Sequence, residues 1–155
     1  MKPIPEPLRL AEFLPYRISV AAESVSRAFA SRYEAEFGLS IPEWRLMAVL
    51  GDEGRLSTQT LIARTEMDRV KVSRAVIRLA DKGLILRAPH PEDQRAQLLS
   101  LSPRGQALYR QIVPRALTLQ GELACALTPA ELSALSAILD KVHRRAGELL
   151  RDGQG

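Results

Sequence analysis

The chain has 155 residues, 46% of them hydrophobic and 26% charged, a mixture that suits one globular domain with perhaps a helical extension. No apolar run approaches the roughly 20 residues of a membrane span, the start Met1-Lys2-Pro3-Ile4-Pro5 does not resemble a signal peptide, and the lone Cys125 excludes an internal disulfide framework, so the expectation is a cytoplasmic protein without a membrane partner. The net charge of +4 is local: from Arg55 to Arg104 ten Lys and Arg stand against five Asp and Glu, and elsewhere twelve stand against thirteen. A zone of positive charge is an electrostatic footprint for a polyanion.

Pro3, Pro5 and Pro7 make the start irregular. A long helical pattern follows from about Leu8 to Phe37, with Leu14, Ile18, Val25, Phe29 and Tyr33 near helical period. Pro15 starts or kinks it, and Gly38 supplies a stop. Ser40-Ile41-Pro42-Glu43 is a capping box opening a second helix, which carries Trp44, Met47 and Leu50 before Gly51 and Gly54 end it. A short extended piece around Arg55-Leu56 leads to Ser57, the cap of a third helix over Thr58 to Thr65 with Leu61 and Ile62 inward. Asp68 caps a fourth helix running to Lys82, ended by Gly83.

Leu84-Ile85-Leu86-Arg87 and Gln97-Leu98-Leu99-Ser100-Leu101 flank a polar, proline-bearing segment and read as a β-hairpin with a long tip. Ser102-Pro103 opens a fifth helix to about Ala126, which Pro114 should bend. Thr128-Pro129-Ala130-Glu131 is a second capping box, and Leu132, Leu135, Ile138, Leu139, Val142, Ala146, Leu149 and Leu150 stripe the sixth helix. The fold class is mainly α: a winged helix-turn-helix with an α/β wing, between N- and C-terminal dimerisation helices. The expected division is residues 38–101 as the winged domain, which the following features mark as DNA-binding, and residues 1–37 with 102–155 as the dimerisation region. The outer helices have more apolar surface than the small winged domain needs, and a second copy is the economical partner.

On the fourth helix Val72, Val76 and Leu79 share one face, while Lys71, Arg74, Arg78 and Lys82 follow the spacing of another. Arg69 opens the helix, and Ser73 is small enough to reach a phosphate or base edge. The major groove of duplex DNA admits one helix, and Arg bonds bidentately to guanine there. A solvated basic face is the bland alternative, against which the preceding short helix and tight connection argue. At the hairpin tip Asp93 flanks Arg95, and a carboxylate near a guanidinium holds it in one orientation. An Arg so placed suits the minor groove.

The run from Asp93 through Arg95 and the strand to Ser102-Pro103-Arg104-Gly105 resembles the wing signature of MarR-family regulators, an Asp-x-Arg, a strand, then Thr/Ser-x-x-Gly opening a helix. Ser73 to Ile85 likewise resembles that family's recognition helix and its exit into the wing, and the six-helix order extends the similarity over nearly the whole chain. The resemblance implies a homodimer whose first, fifth and sixth helices interlock, and a palindromic operator on double-stranded DNA. It implies Arg95 as the minor-groove residue with Asp93 positioning it, and Ser73 where threonine is common. It also implies repression relieved by a small aromatic or phenolic acid.

In that family the ligand lies between the dimerising helices and the winged domain. Tyr16, Arg17, Trp44 and Arg45 are the candidate lining residues, an arginine beside aromatics suiting an aromatic carboxylate. The alternative makes Trp44 core and the two arginines surface cations. Cys125, among Leu123, Ala124, Ala126 and Leu127, reads as a buried packing residue. His90 and His143 lie far apart in the chain, and no catalytic motif, metal spacing or phosphate-cradling loop is present, so the expectation is no enzyme, no metal and no cofactor. A winged helix used for protein–protein contact is the competing class, disfavoured because such a face is less uniformly cationic.

Overall fold

Pro15 decides where the first long helix begins. In the computed structural model, which describes residues 7–153, a 3-10 turn over Leu10–Glu12 precedes α1 (Leu14–Phe37), so the apolar pattern starting at Leu8 is not α-helical at its outset. Pro15 lies in the first turn of α1, where its missing N–H has no partner to lose. Gly38, at φ 65°, ends α1 in the left-handed conformation. Helix α2 (Ile41–Glu53) opens with both halves of its capping box: the Ser40 hydroxyl accepts from the Glu43 N–H at 3.4 Å, and the Glu43 carboxylate accepts from the Ser40 N–H at 2.7 Å. Gly51 does not end this helix. It lies inside it because the Tyr109 ring occupies the space a Cβ would need, and Gly54 supplies the stop.

Strand β1 (Leu56–Ser57) passes directly into α3 (Thr58–Thr65), capped by Ser57, whose hydroxyl accepts from the Thr60 N–H at 3.1 Å. Glu66, at φ 53°, turns the chain sharply, and Asp68 caps α4 (Arg69–Asp81) by accepting from the Lys71 N–H at 2.8 Å. Strands β2 (Ile85–Pro89) and β3 (Gln97–Leu101) form the hairpin, with Ile85 opposite Leu101 and Arg87 opposite Leu99. β1 adds to the far edge of β3, with Leu56 opposite Leu99, giving an antiparallel sheet of order β1-β3-β2. The core under this sheet holds Leu46, Met47, Leu61, Val72, Leu79 and Leu99, each almost wholly buried. At about 1.5–3 kcal/mol for each large side chain removed from water, they dominate the stability of the winged region.

Two polar knots fix the ends of α4 and the wing. In the first, Lys82 Nζ donates at 2.7 Å to both the Glu43 carboxylate and the Gly38 carbonyl, joining α4 to the N-terminus of α2 and the end of α1. Glu43 is 2% exposed. Burial alone pushes its carboxyl up, but hydrogen bonds from Lys82 and Ser40 outweigh it and hold the carboxyl below its ordinary value. In the second knot the Ser102 hydroxyl donates to the Gly83 carbonyl at 2.7 Å and accepts from the Gly105 N–H at 2.9 Å, while the Ser102 N–H bonds the Leu84 carbonyl at 3.0 Å. A Cβ at residue 105 would collide with that Leu84 carbonyl, so only glycine fits.

Helix α5 (Pro103–Ala124) runs through Pro114, and α6 (Pro129–Asp152) begins at its Thr128–Glu131 capping box. The described residues up to Ile112 form one compact unit and those from Val113 a second. Along α6 Leu132, Leu135, Ile138, Leu139, Leu149 and Leu150 are all exposed in the single chain. Cys125, expected to be buried, is exposed, because α5 stops at Ala124 and leaves it in the turn between the helices. Among the described residues no single helix is long and apolar enough to cross a membrane, and no group of three or more His, Cys, Asp or Glu is gathered to hold a metal.

Replacing Gly105 with alanine should lower unfolding free energy by about 1–3 kcal/mol in urea titrations, since backbone has to give way; unchanged stability would place that carbonyl elsewhere. The depressed Glu43 carboxyl adds stability that is complete above the ordinary carboxylate range, about pH 4.3, and is lost as pH falls through the lower folded value. Glu43→Gln should therefore flatten the acid limb of the wild-type melting profile, and parallel acid limbs would count against this account.

Candidate nucleic-acid interface

The two faces of α4 are sharply divided. Val72, Ala75, Val76 and Leu79 are buried, while Arg69, Lys71, Ser73, Arg74 and Arg78 are exposed. Packing on one side thus fixes which side chains face outward. The first turn of α4 contains no acidic residue and two cations, Arg69 and Lys71. A helix N-terminus carries partial positive charge and is stabilised by carboxylates, so cations there cost a little stability unless an external anion is the partner. Lys71 Nζ is 3.9 Å from the capping Asp68 carboxylate, an exposed pair of small energetic weight.

Lys82 does not join this row. Its ammonium turns back to Glu43 and Gly38, because a buried carboxylate needs a counter-charge more than the surface needs another cation. The reading of Asp93 also changes. Its carboxylate accepts from the main-chain N–H of Arg95 at 2.9 Å, so it sets the backbone of the turn and does not clamp the guanidinium. Together with the Ala96 N–H to Asp93 carbonyl bond at 3.0 Å and the His90 N–H to Ala96 carbonyl bond at 3.1 Å, it closes the tip and leaves the Arg95 side chain exposed.

The four candidate effector residues do not meet within one chain. Trp44 is half-buried and packs on Tyr33, ring centroids 5.2 Å apart, with Phe29 6.1 Å beyond. Burial pushes the Tyr33 phenol up. Tyr16 and Arg17 lie at the opposite end of α1, about 25 Å along the helix at 1.5 Å per residue, and both are exposed. Arg45 lines a different cleft of about 300 Å³ with Arg27, Met67 and Lys71.

Two residues missed in the sequence stand in the cationic face. Val70 and Ile77, one turn on either side of Ser73 and Arg74, are 57% and 54% exposed. The stripe Val70, Ser73, Arg74, Ile77, Arg78 keeps strict helical spacing. Branched apolar side chains left in water on an otherwise basic face were the available signal, since such methyls suit the thymine methyl groups of the major groove.

A protein-family model described as "MarR family" matches residues 37–96. The chain is similar to the homoprotocatechuate degradative operon repressor of Escherichia coli, 25% identical over 78% of this chain and 79% of that one. Among solved structures it is similar to Bordetella bronchiseptica BpsR, whose DNA binding is regulated by 6-hydroxynicotinic acid (TM-score 0.82, 25% identity, 88% of this chain and 97% of that one). A MarR/EmrR family transcriptional regulator from Acinetobacter sp. ADP1 superposes equally well (TM-score 0.82, 26% identity, 91% and 99%). The helix-turn-helix with its three-stranded wing and outer helices is the architecture these proteins share. In sequence over its winged region, and in fold over most of its length, the chain is therefore similar to the MarR family of transcriptional regulators.

Proposed function

We propose that the chain acts as a homodimeric repressor on a palindromic operator, with α4 of each copy in the major groove and the Arg95 tip in the adjacent minor groove. The observation that carries this reading is the division of α4: its apolar face is buried, so Lys71, Ser73, Arg74 and Arg78 project together from a rigid element, with Arg69 at its start. Asp93 supports the tip by holding the main chain of Arg95. Residues 38–101 read the duplex. Residues 1–37 and 102–155 join the copies. The apolar side chains exposed along α6, and Leu14, Val20 and Val25 along α1, support that division, since a monomer would leave both stripes in water.

The same reading includes release by a small aromatic or phenolic acid. The names of the E. coli and Bordetella relatives, one an aromatic-degradation operon repressor and the other regulated by an aromatic acid, support it. Tyr16 and Arg17 would then meet Trp44 or Arg45 only across the dimer, from the second copy.

Arg95→Ala and Arg74→Ala should each weaken binding to a duplex selected from random sequence by about ten-fold, read by fluorescence anisotropy, with the dimer intact in sedimentation. Unchanged affinity in Arg95→Ala would reject the wing assignment. Titrating a panel of aromatic acids into the protein–duplex complex should produce release, and a panel with no releasing member would reject the effector reading.

A further inference from the structure

We propose that Glu43 is the positioning residue of the recognition helix: a carboxylate buried at the start of α2 holds Lys82 at the end of α4 and so sets the angle at which the cationic face meets DNA. The proposal rests on the reading that α4 contacts the duplex. Lys82 sits one residue beyond α4, and its ammonium has two acceptors at 2.7 Å, the Glu43 carboxylate and the Gly38 carbonyl. One ammonium thus joins the ends of three helices.

The tie is strong for a physical reason. Glu43 is 2% exposed while the Lys82 side chain is 39% exposed. Drawing Lys82 away to a phosphate would strand a buried carboxylate with Ser40 alone for compensation, chiefly its main-chain N–H at 2.7 Å. Lys82 is therefore withheld from the duplex even though its spacing on α4 places it in register with Arg74 and Arg78. The other end of α4 is anchored by Met67, buried just before the helix starts. With 13 residues, α4 is roughly 20 Å long, so a tilt of about 5° moves one end by nearly 2 Å, beyond the roughly 0.5 Å tolerance of a positioned polar contact. Glu43 lies on α2 and is buried, so its effect on DNA reaches the duplex only through α4.

The experiment compares full-length wild type, Glu43→Gln, Lys82→Met and Lys82→Arg. Each is titrated onto the duplex that wild type selects and onto a random duplex of equal length, over a series of salt concentrations, with circular dichroism melts in parallel. Expected is a loss of about ten-fold on the selected duplex for Glu43→Gln and Lys82→Met, with random-duplex affinity and salt slope held, and recovery in Lys82→Arg. If Lys82→Met does not fold, the isosteric Glu43→Gln carries the test, with Lys82→Arg as its charge-preserving control. Equal loss on both duplexes with the salt slope reduced by about one ion would make Lys82 a phosphate contact and overturn the proposal. A lower melting temperature with the selected-to-random ratio intact would reduce Glu43 to a helix cap and overturn it as well. Wild type that prefers no duplex would reject the DNA reading itself, an outcome separable from the other two.

Discussion

Helix α4 can present its cations only because its other side is fully consumed by packing. Val72 and Leu79 have no exposed surface, and Ala75 and Val76 between them have almost none. They sit against α2, α3 and the root of the wing, so the rotation of α4 about its own axis is fixed by core packing, which tolerates little slack. The position of every exposed side chain on the helix follows from that rotation. The wing depends on the same constraint, because Leu84 and Ile85 leave α4 buried in the same core before the strand emerges. Cations, tip and sheet are thus referred to one packed interface.

Electrostatics refine what packing sets. A basic residue at the right helical spacing was not enough to predict its role: Arg74 and Arg78 face solvent, while Lys82, four residues further, is recruited by Glu43. The pairing spans 39 residues of sequence, and nothing local announces it. Glu43 itself was legible as half of a capping box, and that part is present. Its second bond, to the far end of another helix, is a property of the folded chain alone.

Where signals were local, the sequence was readable. The Ser40 and Thr128 capping boxes, the Asp68 cap and the stops at Gly38 and Gly83 depend on residues within a few positions of one another, and all are present. Thr58–Thr65 was delimited correctly for the same reason. The failures are non-local. β1 is two residues long and counts as a strand only through its pairing with Leu98 and Leu99. Gly51 looked like a terminator and is a seat for a tyrosine 58 positions away. Cys125 looked buried among apolar neighbours because the end of α5 was placed two residues late. The effector grouping stands apart from these: within one chain the length of α1 separates Tyr16 and Arg17 from Trp44, and only a second copy would bring them together.

The contact between Gly105 and the Leu84 carbonyl has a mechanical consequence. With Ser102 bonded to Gly83 and Leu84 as well, the first turn of α5 and the root of the hairpin are riveted together without clearance. Any displacement of that turn must carry the base of the wing with it, so pliancy in the hairpin is confined to the far end, in the turn from His90 to Ala96. Insertions or deletions acquired during divergence would be absorbed there, where the side chains from Pro91 to Arg95 are exposed, while a single added residue between Gly83 and Leu84 or between Ser102 and Gly105 would spring the rivet.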